Sequence, residues 1–567
     1  MSIVILVPLL PLLAALIVLV GDEGSRHQRA KIAAYPIGAA FLGAIATLWY
    51  VATHGPITIR FYDPASLATM VFPMGFYIDR LSAVMMTLIS AVGTIVYTYS
   101  VGNMFQDHHA RRYLSLMAFT VFILLCMVSS ANLMMLFLFW QALSYMLYIL
   151  AHNHAHAPTL AGAFRTFTLL RVGDVAFLSG IVLAYQLYGT LEFDTLFARA
   201  AELPITLTPL PGIEISGPTA IALLLFIGAM SKSAQFPFHI WLPSSLYAPT
   251  PMHALLHAGI INAGGFLINR LAPLYGLSPA ALHVAFAVGA LTAVVGATMM
   301  LAQNDIKKTL GFSTIGQMGY MIMECGLGAY ALAVFHLIAH GFFKGTVFLY
   351  CGNVIHKARQ EPGSHSPRHP QEQEEFSLLT WLTGLIATLV IPLLILLAIH
   401  DILSIPLLES HGTVIFLFFI WITSSQAILT LTRLRVIESW KVAVIMLWTL
   451  IFIVFVYLFA AESFTAFLYP NPAEVEFYLH AAALPEWLFS TIIVVITLLI
   501  VMSWSYLYMR AHGKSVRMPD WVEGLRIRLY VRFMNRIYAD RIYEALGRVV
   551  TRSLQRIVKR DAGWWSK

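Results

Sequence analysis

The sequence predicts an all-α polytopic membrane protein with about fifteen transmembrane helices. Of its 567 residues, 59% are hydrophobic and only 11% are charged, whereas soluble domains carry about 25% charged residues. Apolar runs of about 20 residues, the length that a helix needs to cross a bilayer, recur along almost the whole chain. This composition excludes a soluble enzyme, a disordered scaffold and a disulfide-stapled secreted module.

Polar or charged segments separate the apolar runs and define the predicted spans. The first run has neither a basic start nor a small-residue cleavage site, so we expect a retained span and not a signal peptide. The fifteen spans, numbered in chain order, cover residues 3–20, 32–54, 81–105, 113–130, 131–151, 160–187, 217–236, 251–272, 279–302, 308–328, 329–355, 376–400, 413–432, 441–461 and 487–509.

The positions of lysine and arginine predict the orientation. With the N-terminus outside, the inward loops hold 13 of these residues and the tail from Arg510 onward holds 14 more, whereas the outward loops hold four. An excess of positive charge in cytoplasmic loops is the rule for helical membrane proteins. We therefore expect the N-terminus outside and the C-terminus in the cytoplasm. The four remaining basic residues, Arg165, Arg171, Lys232 and Lys344, lie inside predicted spans.

Charged residues inside spans usually face a bundle interior or a water-filled cavity and mark an ion path. Asp174 follows Arg171 by three residues on the same helical face, as a structural ion pair or as part of such a path. Lys232 and Lys344 have no acidic residue within one helical turn. Because a buried lysine changes its protonation state readily and an arginine does not, these two lysines are candidate ion-translocation residues.

Two spans are predicted to be broken. Pro237 and Pro243 follow Lys232 in span seven, and the second break is expected at His400 and Asp401 in span twelve. Interrupted spans in corresponding positions of two halves suggest inverted repeats, here two five-helix units formed by spans 4–8 and 9–13. The predicted division is 1–112, 113–272 and 279–435 for the first helices and the two repeats, then 441–509 for the last helices and 510–567 for the tail.

Two histidine pairs, each spaced i,i+4, lie within spans. His253 and His257 share one face of span eight, and His336 and His340 share one face of span eleven. Three interpretations remain open: a metal site, which has no nearby Cys, Asp or Glu to complete it; hydrogen bonding between helices; and a proton relay, because imidazole titrates near neutral pH.

A row of titratable groups follows from these positions. His336, His340 and Lys344 form a stripe along span eleven with steps of about 6 Å. Together with Lys232 and His400 they would meet the physical requirement for lateral proton conduction, which is a series of short transfers between neighbouring groups.

Six segments of the chain resemble one family of membrane proteins. The segments are FYIDRLSAVM (76–85), RVGD (171–174), SKSAQFPFHIWLP (231–243), APTPMHALLHAG (248–259), NDIKKTLGFSTIGQMGYM (304–321) and HLIAHGFFKGTVFLYCGNVIH (336–356). They resemble the proton-translocating antiporter-like subunits, which include subunit 5 (L) of NADH:quinone oxidoreductase and the large subunits of Mrp antiporters. The resemblance covers roughly residues 1–460. It implies ion-relay roles for Lys232, His257 and Lys344, and it places His400 and Asp401 where the family often has Lys-Asp.

Two positions depart from the family pattern. The family carries a glutamate after the span-five tryptophan, paired with the span-seven lysine, but this chain has Gln141 after Trp140. The family's span-six lysine is matched by Arg165, which stays charged and cannot exchange protons. The resemblance therefore does not transfer a Lys–Glu switch to the first half of this chain.

The tail predicts a surface element. Residues 518–560 are basic and amphipathic, as expected of a helix that lies on the membrane or that docks a partner. A compact chain without the long lateral helix of subunit 5 resembles the DabB-type membrane subunits of bacterial DAB-type inorganic-carbon accumulation complexes. This implies a bacterial inner membrane, H⁺ or Na⁺ as the driving ion, and CO₂ or bicarbonate uptake with a peripheral, zinc-dependent, carbonic-anhydrase-like DabA-type partner.

Two other functions remain open: a subunit of a redox-driven complex of the complex I or hydrogenase kind, and a cation/proton antiporter module. The sequence has no paired Cys–His zinc set, no dinucleotide-binding glycine loop and no iron–sulfur cysteine spacing. We therefore expect no cofactor in this chain, no enzymatic activity of the chain by itself and no nucleic-acid partner.

Overall fold

The structure is a computed structural model. It describes residues 2–20, 26–61, 74–104, 109–151, 157–245, 249–360, 462–511 and 520–538, with a few isolated positions up to 545. Predicted spans twelve to fourteen, with His400 and Asp401, lie outside these ranges.

Helices form most of the described chain. The first half contains α1 (Ser2–Leu19), α2 (Arg26–Ile32), α3 (Ala34–His54), α4 (Arg80–Asn103), α5 (Ala110–Val128), α6 (Leu133–Ala151), α7 (Ala157–Tyr188), α8 (Phe193–Glu202), α9 (Gly217–Lys232), α10 (Trp241–Ser245), α11 (Thr250–Leu255) and α12 (Ala263–Arg270). The remainder contains α13 (Ala272–Gly276), α14 (Pro279–Leu301), α15 (Ile306–Gly326), α16 (Tyr330–Gln360), α17 (Pro472–Ala481), α18 (Glu486–Ala511) and α19 (Asp520–Met534).

Seven helices among the described residues are long and apolar enough to cross a membrane. Two shorter apolar helices, Val4–Leu19 and Gly217–Lys232, accompany them. Large apolar side chains on the outer surface fit a lipid environment, with Leu42 and Val175 each 67% exposed and Leu301 80% exposed. The prediction of a helical membrane protein is confirmed, while the count of fifteen spans and the five-part division remain predictions.

Two β-hairpins correct the all-α expectation. Strands β1 (Ile57–Arg60) and β2 (Gly75–Ile78) pair antiparallel, as do β3 (Thr206–Leu210) and β4 (Ile213–Ser216). Both hairpins lie between predicted spans, where β-branched residues alternate with others in a pattern that favours strands. Pro211 and Gly212, whose φ is +83°, supply the turn chemistry that the second hairpin needs.

An ion pair joins the start of α4 to the end of α12. Arg270 donates to both carboxylate oxygens of Asp79, at 2.7 and 3.0 Å, and to the Ser82 hydroxyl at 2.6 Å. Arg270 is only 6% exposed. Burial raises the pKa of the Asp79 carboxyl, but the Arg270 charge and hydrogen bonds from Arg270 and Ser82 bring it below the ordinary value. This pair fixes α12, which continues the segment that carries His253 and His257.

Glycines allow α14 and α15 to pack with their backbones in contact. A Cβ added at Gly319 would overlap the backbone nitrogen of Ala293 and would lie 2.8 Å from the carbonyl oxygen of Gly289. Small residues that let backbones approach closely are typical of helix contacts within membranes. The contact fixes the position of α15, which carries one wall of the candidate site.

We expect Gly319→Ala to lower the free energy of unfolding by about 1–3 kcal/mol, the usual effect of overpacking a tight contact. Gly38→Ala on α3 is the matched control, because no atom lies within 4 Å of a Cβ added there. Thermal unfolding of the two purified variants in detergent measures the difference. Equal melting temperatures would contradict the packing argument.

Candidate ion-translocation site

Helix α9 ends at Lys232 inside the protein, as the prolines after it predict. The break leaves carbonyl groups without helical partners, and neighbouring groups bind them. The Trp241 indole donates to the Ser231 carbonyl at 2.7 Å, and the backbone N–H of Gln235 donates to the Met230 carbonyl at 2.9 Å. The irregular backbone next to Lys232 is therefore stabilised by the protein and not by lipid.

The Lys232 side chain is completely buried against α6. Its ammonium group donates to the Trp140 carbonyl at 3.1 Å and to the Ser144 hydroxyl at 2.5 Å, and it lies 4.9 Å from the centre of the Trp140 ring. None of the ion pairs found within the described part of the chain includes Lys232. Neutral oxygen atoms and an aromatic face therefore hold this charge.

Trp140 also connects Lys232 to an acidic residue on α7. The indole nitrogen donates to an Asp174 carboxylate oxygen at 2.9 Å, and the other oxygen lies 2.8 Å from the Arg171 guanidinium. Arg171 donates in turn to the amide oxygen of Gln141. We name this group the first cluster; its members are Trp140, Gln141, Ser144, Arg171, Asp174 and Lys232.

The first cluster pairs Arg171 with Asp174 as the sequence predicts. Gln141, which replaces the family's glutamate, serves as a neutral acceptor for Arg171. Arg165 lies on the same helix six residues before Arg171 and is partly buried. The pair is thus one part of a network that reaches Lys232, a connection that spacing along the chain does not reveal.

The histidines of span eight stack on an aromatic ring of α16. His257 lies in a π-helical turn, Leu256–Ile260, a distortion that often marks functional positions. Its ring is parallel to that of Phe348, with centroids 4.3 Å apart, and the His253 ring lies 5.7 Å from the same centroid. Phe348 follows Lys344 by one helical turn, so His257 packs against the helix that carries the second lysine.

Facing polar rows on α15 and α16 form the second cluster. Buried Lys344 donates to the Ser313 hydroxyl at 2.7 Å. The His336 ring lies between Gln317 and Glu324, 2.9 Å and 3.2 Å from their oxygens. The centroids of His336 and His340 are 6.4 Å apart, as their spacing predicts. The second cluster comprises Ser313, Gln317, Glu324, His336, His340 and Lys344.

Two features of the site do not follow from the sequence patterns: the role of Glu324 and the link between Asp174 and Lys232. Glu324 is 3% exposed and lies two residues before the end of α15. A signal was present: Ser313, Gln317 and Glu324 recur at helical spacing on one face of span ten. Without knowledge that this face meets α16, a carboxylate near a span end resembles an ordinary loop residue.

A metal site finds no support in the described residues, where no three His, Cys, Asp or Glu side chains are placed to hold a metal ion. The rings of His253 and His257 stack on Phe348. The remaining predicted members, His400 and Asp401, lie outside the described ranges.

Two family models match the chain. The model described as NADH:quinone oxidoreductase/Mrp antiporter, TM, matches residues 130–437, and the model for the N-terminus of chain 5 of NADH-ubiquinone oxidoreductase (complex I) matches residues 65–114. Both clusters lie within the first range. The chain therefore belongs to the NADH:quinone oxidoreductase/Mrp antiporter family of membrane subunits.

Individual relatives agree with this assignment. The probable inorganic carbon transporter subunit DabB1 of Halothiobacillus neapolitanus is 39% identical over 95% of this chain and 96% of its own length. The NADH-quinone oxidoreductase subunit L of Neisseria meningitidis is 34% identical over 69% of this chain, which spans only 58% of that relative. A chain of the Mrp complex from Dietzia shares the fold, with a TM-score of 0.56 and 19% identity over 98% of this chain and 63% of that one.

We expect Trp140→Phe to destabilise the first cluster. Phenylalanine preserves most of the ring packing but removes the N–H group that donates to Asp174, a hydrogen bond to a charged group worth about 1.5–3 kcal/mol. Trp49→Phe, at a position 67% exposed on α3, is the control. Chemical unfolding of the purified variants measures both effects, and a Trp140→Phe chain as stable as the control would contradict the network.

Proposed function

We propose that the protein is the membrane subunit of an energy-coupled inorganic-carbon uptake complex, which conducts H⁺ or Na⁺ to drive the uptake of CO₂ or bicarbonate. The observation that carries this proposal is the near full-length similarity to a probable inorganic carbon transporter subunit. The two buried clusters supply the physical means, because ionisable side chains inside membrane proteins usually line ion paths.

The proposed path is a relay of buried lysine and histidine side chains. Lys232 donates to Ser144 and Lys344 donates to Ser313, and a hydroxyl both accepts and donates hydrogen bonds. An imidazole ring can also accept at one nitrogen and donate from the other, so the histidines between the lysines can continue the path. The proposed members are Lys232, His257, His336, His340, Lys344, His400 and Asp401.

Asp174 is proposed to balance the charge of Lys232 in place of the glutamate that Gln141 replaces. Its carboxylate is 4% exposed and contacts both the Arg171 guanidinium and the Trp140 indole. When Lys232 gains or loses a proton, the change in charge acts on Trp140 and Asp174 directly. The pair of Arg171 and Asp174 then takes part in coupling and is more than a structural ion pair.

The complete chain is proposed to have about fifteen spans with inverted repeats at 113–272 and 279–435. Its N-terminus would face outward and its C-terminus the cytoplasm of a bacterial inner membrane, on the strength of the lysine and arginine distribution. The chain by itself would carry ions and not catalyse a reaction.

The tail is proposed to dock the peripheral, DabA-like, zinc-dependent, carbonic-anhydrase-like partner. Helix α19 buries none of its residues, and Trp521, Leu525 and Leu529 recur on one face at 69%, 44% and 39% exposure. An exposed apolar face between basic residues suits a protein partner or the membrane surface.

A second candidate function is a proton-pumping membrane subunit of an NADH:quinone oxidoreductase or hydrogenase complex. The 34% identity to subunit L favours it, and a cation/proton antiporter subunit is a related alternative. Purification of the native complex separates these candidates. Co-purification with flavin or iron–sulfur subunits would support the redox complex, whereas a single large peripheral partner would support carbon uptake.

Carbon uptake can be tested in a bacterial host that lacks carbonic anhydrase and therefore requires elevated CO₂. We expect the chain, expressed with its peripheral partner, to restore growth in air. Lys232→Ala should abolish this growth because it removes the buried positive charge, whereas Lys31→Ala, at an exposed position on α2, should not.

Membrane content of each variant, measured by immunoblot, controls for expression. Normal growth of a Lys232→Ala strain would contradict the proposed relay through Lys232. If the wild-type chain and its proposed partner fail to restore growth, the proposed function in carbon uptake is contradicted.

A further inference from the structure

Glu324 is a buried acidic residue with a polar partner, and it is not a member of the proposed relay. It is 3% exposed, near the end of α15 that leads into the short turn to α16. Its carboxylate lies 3.2 Å from Nδ1 of His336. A carboxylate inside a membrane protein is costly and usually has a functional partner, which here is an imidazole on the facing helix.

Both nitrogens of the His336 ring face oxygen atoms. The carboxylate oxygen of Glu324 lies at Nδ1, and the amide oxygen of Gln317 lies 2.9 Å from Nε2. Neutral imidazole has only one N–H, whereas imidazolium donates from both nitrogens. The surroundings of His336 therefore suit a ring that carries a second proton next to a carboxylate.

The pair lies two helical turns before the buried lysine along α16. The His336 side chain is 11% exposed. His340 follows one turn further along α16 at 5% exposure, and Lys344 one turn beyond at 2%. Burial thus increases along α16 from His336 to Lys344, as in a path that leads from the first turns of this helix to the lysine.

We propose that Glu324 and His336 form a proton-loading site at the entrance to the second cluster. This proposal rests on the proposed ion-conducting function and adds a residue to it. The empty site holds a carboxylate and a neutral imidazole, with a net charge of −1. One proton from water makes the pair neutral, as carboxylate–imidazolium or carboxylic acid–imidazole, and its onward transfer to His340 restores the empty state.

The chemistry of the pair favours a proton over Na⁺. Hard metal cations prefer oxygen ligands, but the position facing the Glu324 carboxylate is taken by a ring nitrogen. An imidazole next to a carboxylate shares a proton with it directly. Under the proposed orientation, the turn between α15 and α16 faces outward, so the site would load protons from outside.

Glu324→Gln tests the site because it keeps size and hydrogen bonding but cannot take up a proton. We expect about a hundredfold loss of ion-driven carbon uptake, the scale on which a positioned proton-transfer group contributes. The double variant E324Q/Q317E places a carboxylate at the other nitrogen of His336 and should recover part of the loss. Asp305→Asn at the N-cap of α15 is the control. An asparagine oxygen can still accept the hydrogen bond that the backbone N–H of Lys308 donates to Asp305.

Infrared difference spectroscopy of the purified full-length chain gives a readout independent of transport. Over a pH titration, the wild type and Asp305→Asn should show a band of the Glu324 carboxyl group that changes with pH, either the carbonyl band of a carboxylic acid or a carboxylate band, and Glu324→Gln should lack it. If Glu324→Gln fails to accumulate, Glu324→Asp should retain the band at a shifted frequency.

Normal uptake by Glu324→Gln, or a wild-type spectrum without a band that depends on residue 324, would overturn the proposal. Loss of uptake with an unchanged spectrum would also overturn it, because Glu324 would then be structural. If the wild type transports no inorganic carbon but the band is present and assigned to Glu324, the proposed function fails while the proton site remains.

Discussion

The burial of Lys232 is the constraint on which the arrangement of the first half depends. An ammonium group removed from water needs compensating contacts, because isolated buried charges are strongly disfavoured. The break at the end of α9 places this side chain against α6, where a backbone carbonyl and a serine hydroxyl accept its hydrogen bonds. The close approach of α6, α7 and α9 follows from the same need, since Trp140 must reach both Lys232 and Asp174.

The two clusters stabilise a buried lysine with different partners. In the first cluster, Arg171 pairs with Asp174 and keeps its positive charge. The indole of Trp140 connects this ion pair to Lys232. In the second cluster, the hydroxyl of Ser313 is the one hydrogen-bond partner of Lys344 within the described chain. The acidic residue, Glu324, pairs with His336, which lies two helical turns before Lys344. The basic groups of the second cluster are lysine and histidine side chains, whereas the first cluster includes an arginine, which stays charged.

Local features explain what the sequence could predict. The break after Lys232 follows from prolines within the same segment, and the stripe of His336, His340 and Lys344 follows from helical periodicity alone. The pairing of Arg171 with Asp174 depends only on a three-residue spacing. The positions of all six residues in the structure agree with these expectations.

Contacts between helices explain what the sequence could not predict. Glu324 pairs with His336 because α16 packs against α15, and no spacing within one helix encodes that meeting. Trp140 joins two charges from separate helices for the same reason. The hairpins were missed because their short alternating segments were assigned to loops between apolar runs.

Ion flux and carbon uptake measured on the same liposomes test the central claim most directly. The purified chain and the proposed peripheral partner would be reconstituted, an ion gradient imposed, and internal pH or Na⁺ followed together with labelled inorganic carbon. The account predicts that carbon uptake stops when the gradient is collapsed, and that Lys344→Ala abolishes both fluxes together. Carbon uptake that continues at an unchanged rate without a gradient, or in Lys344→Ala, would contradict it.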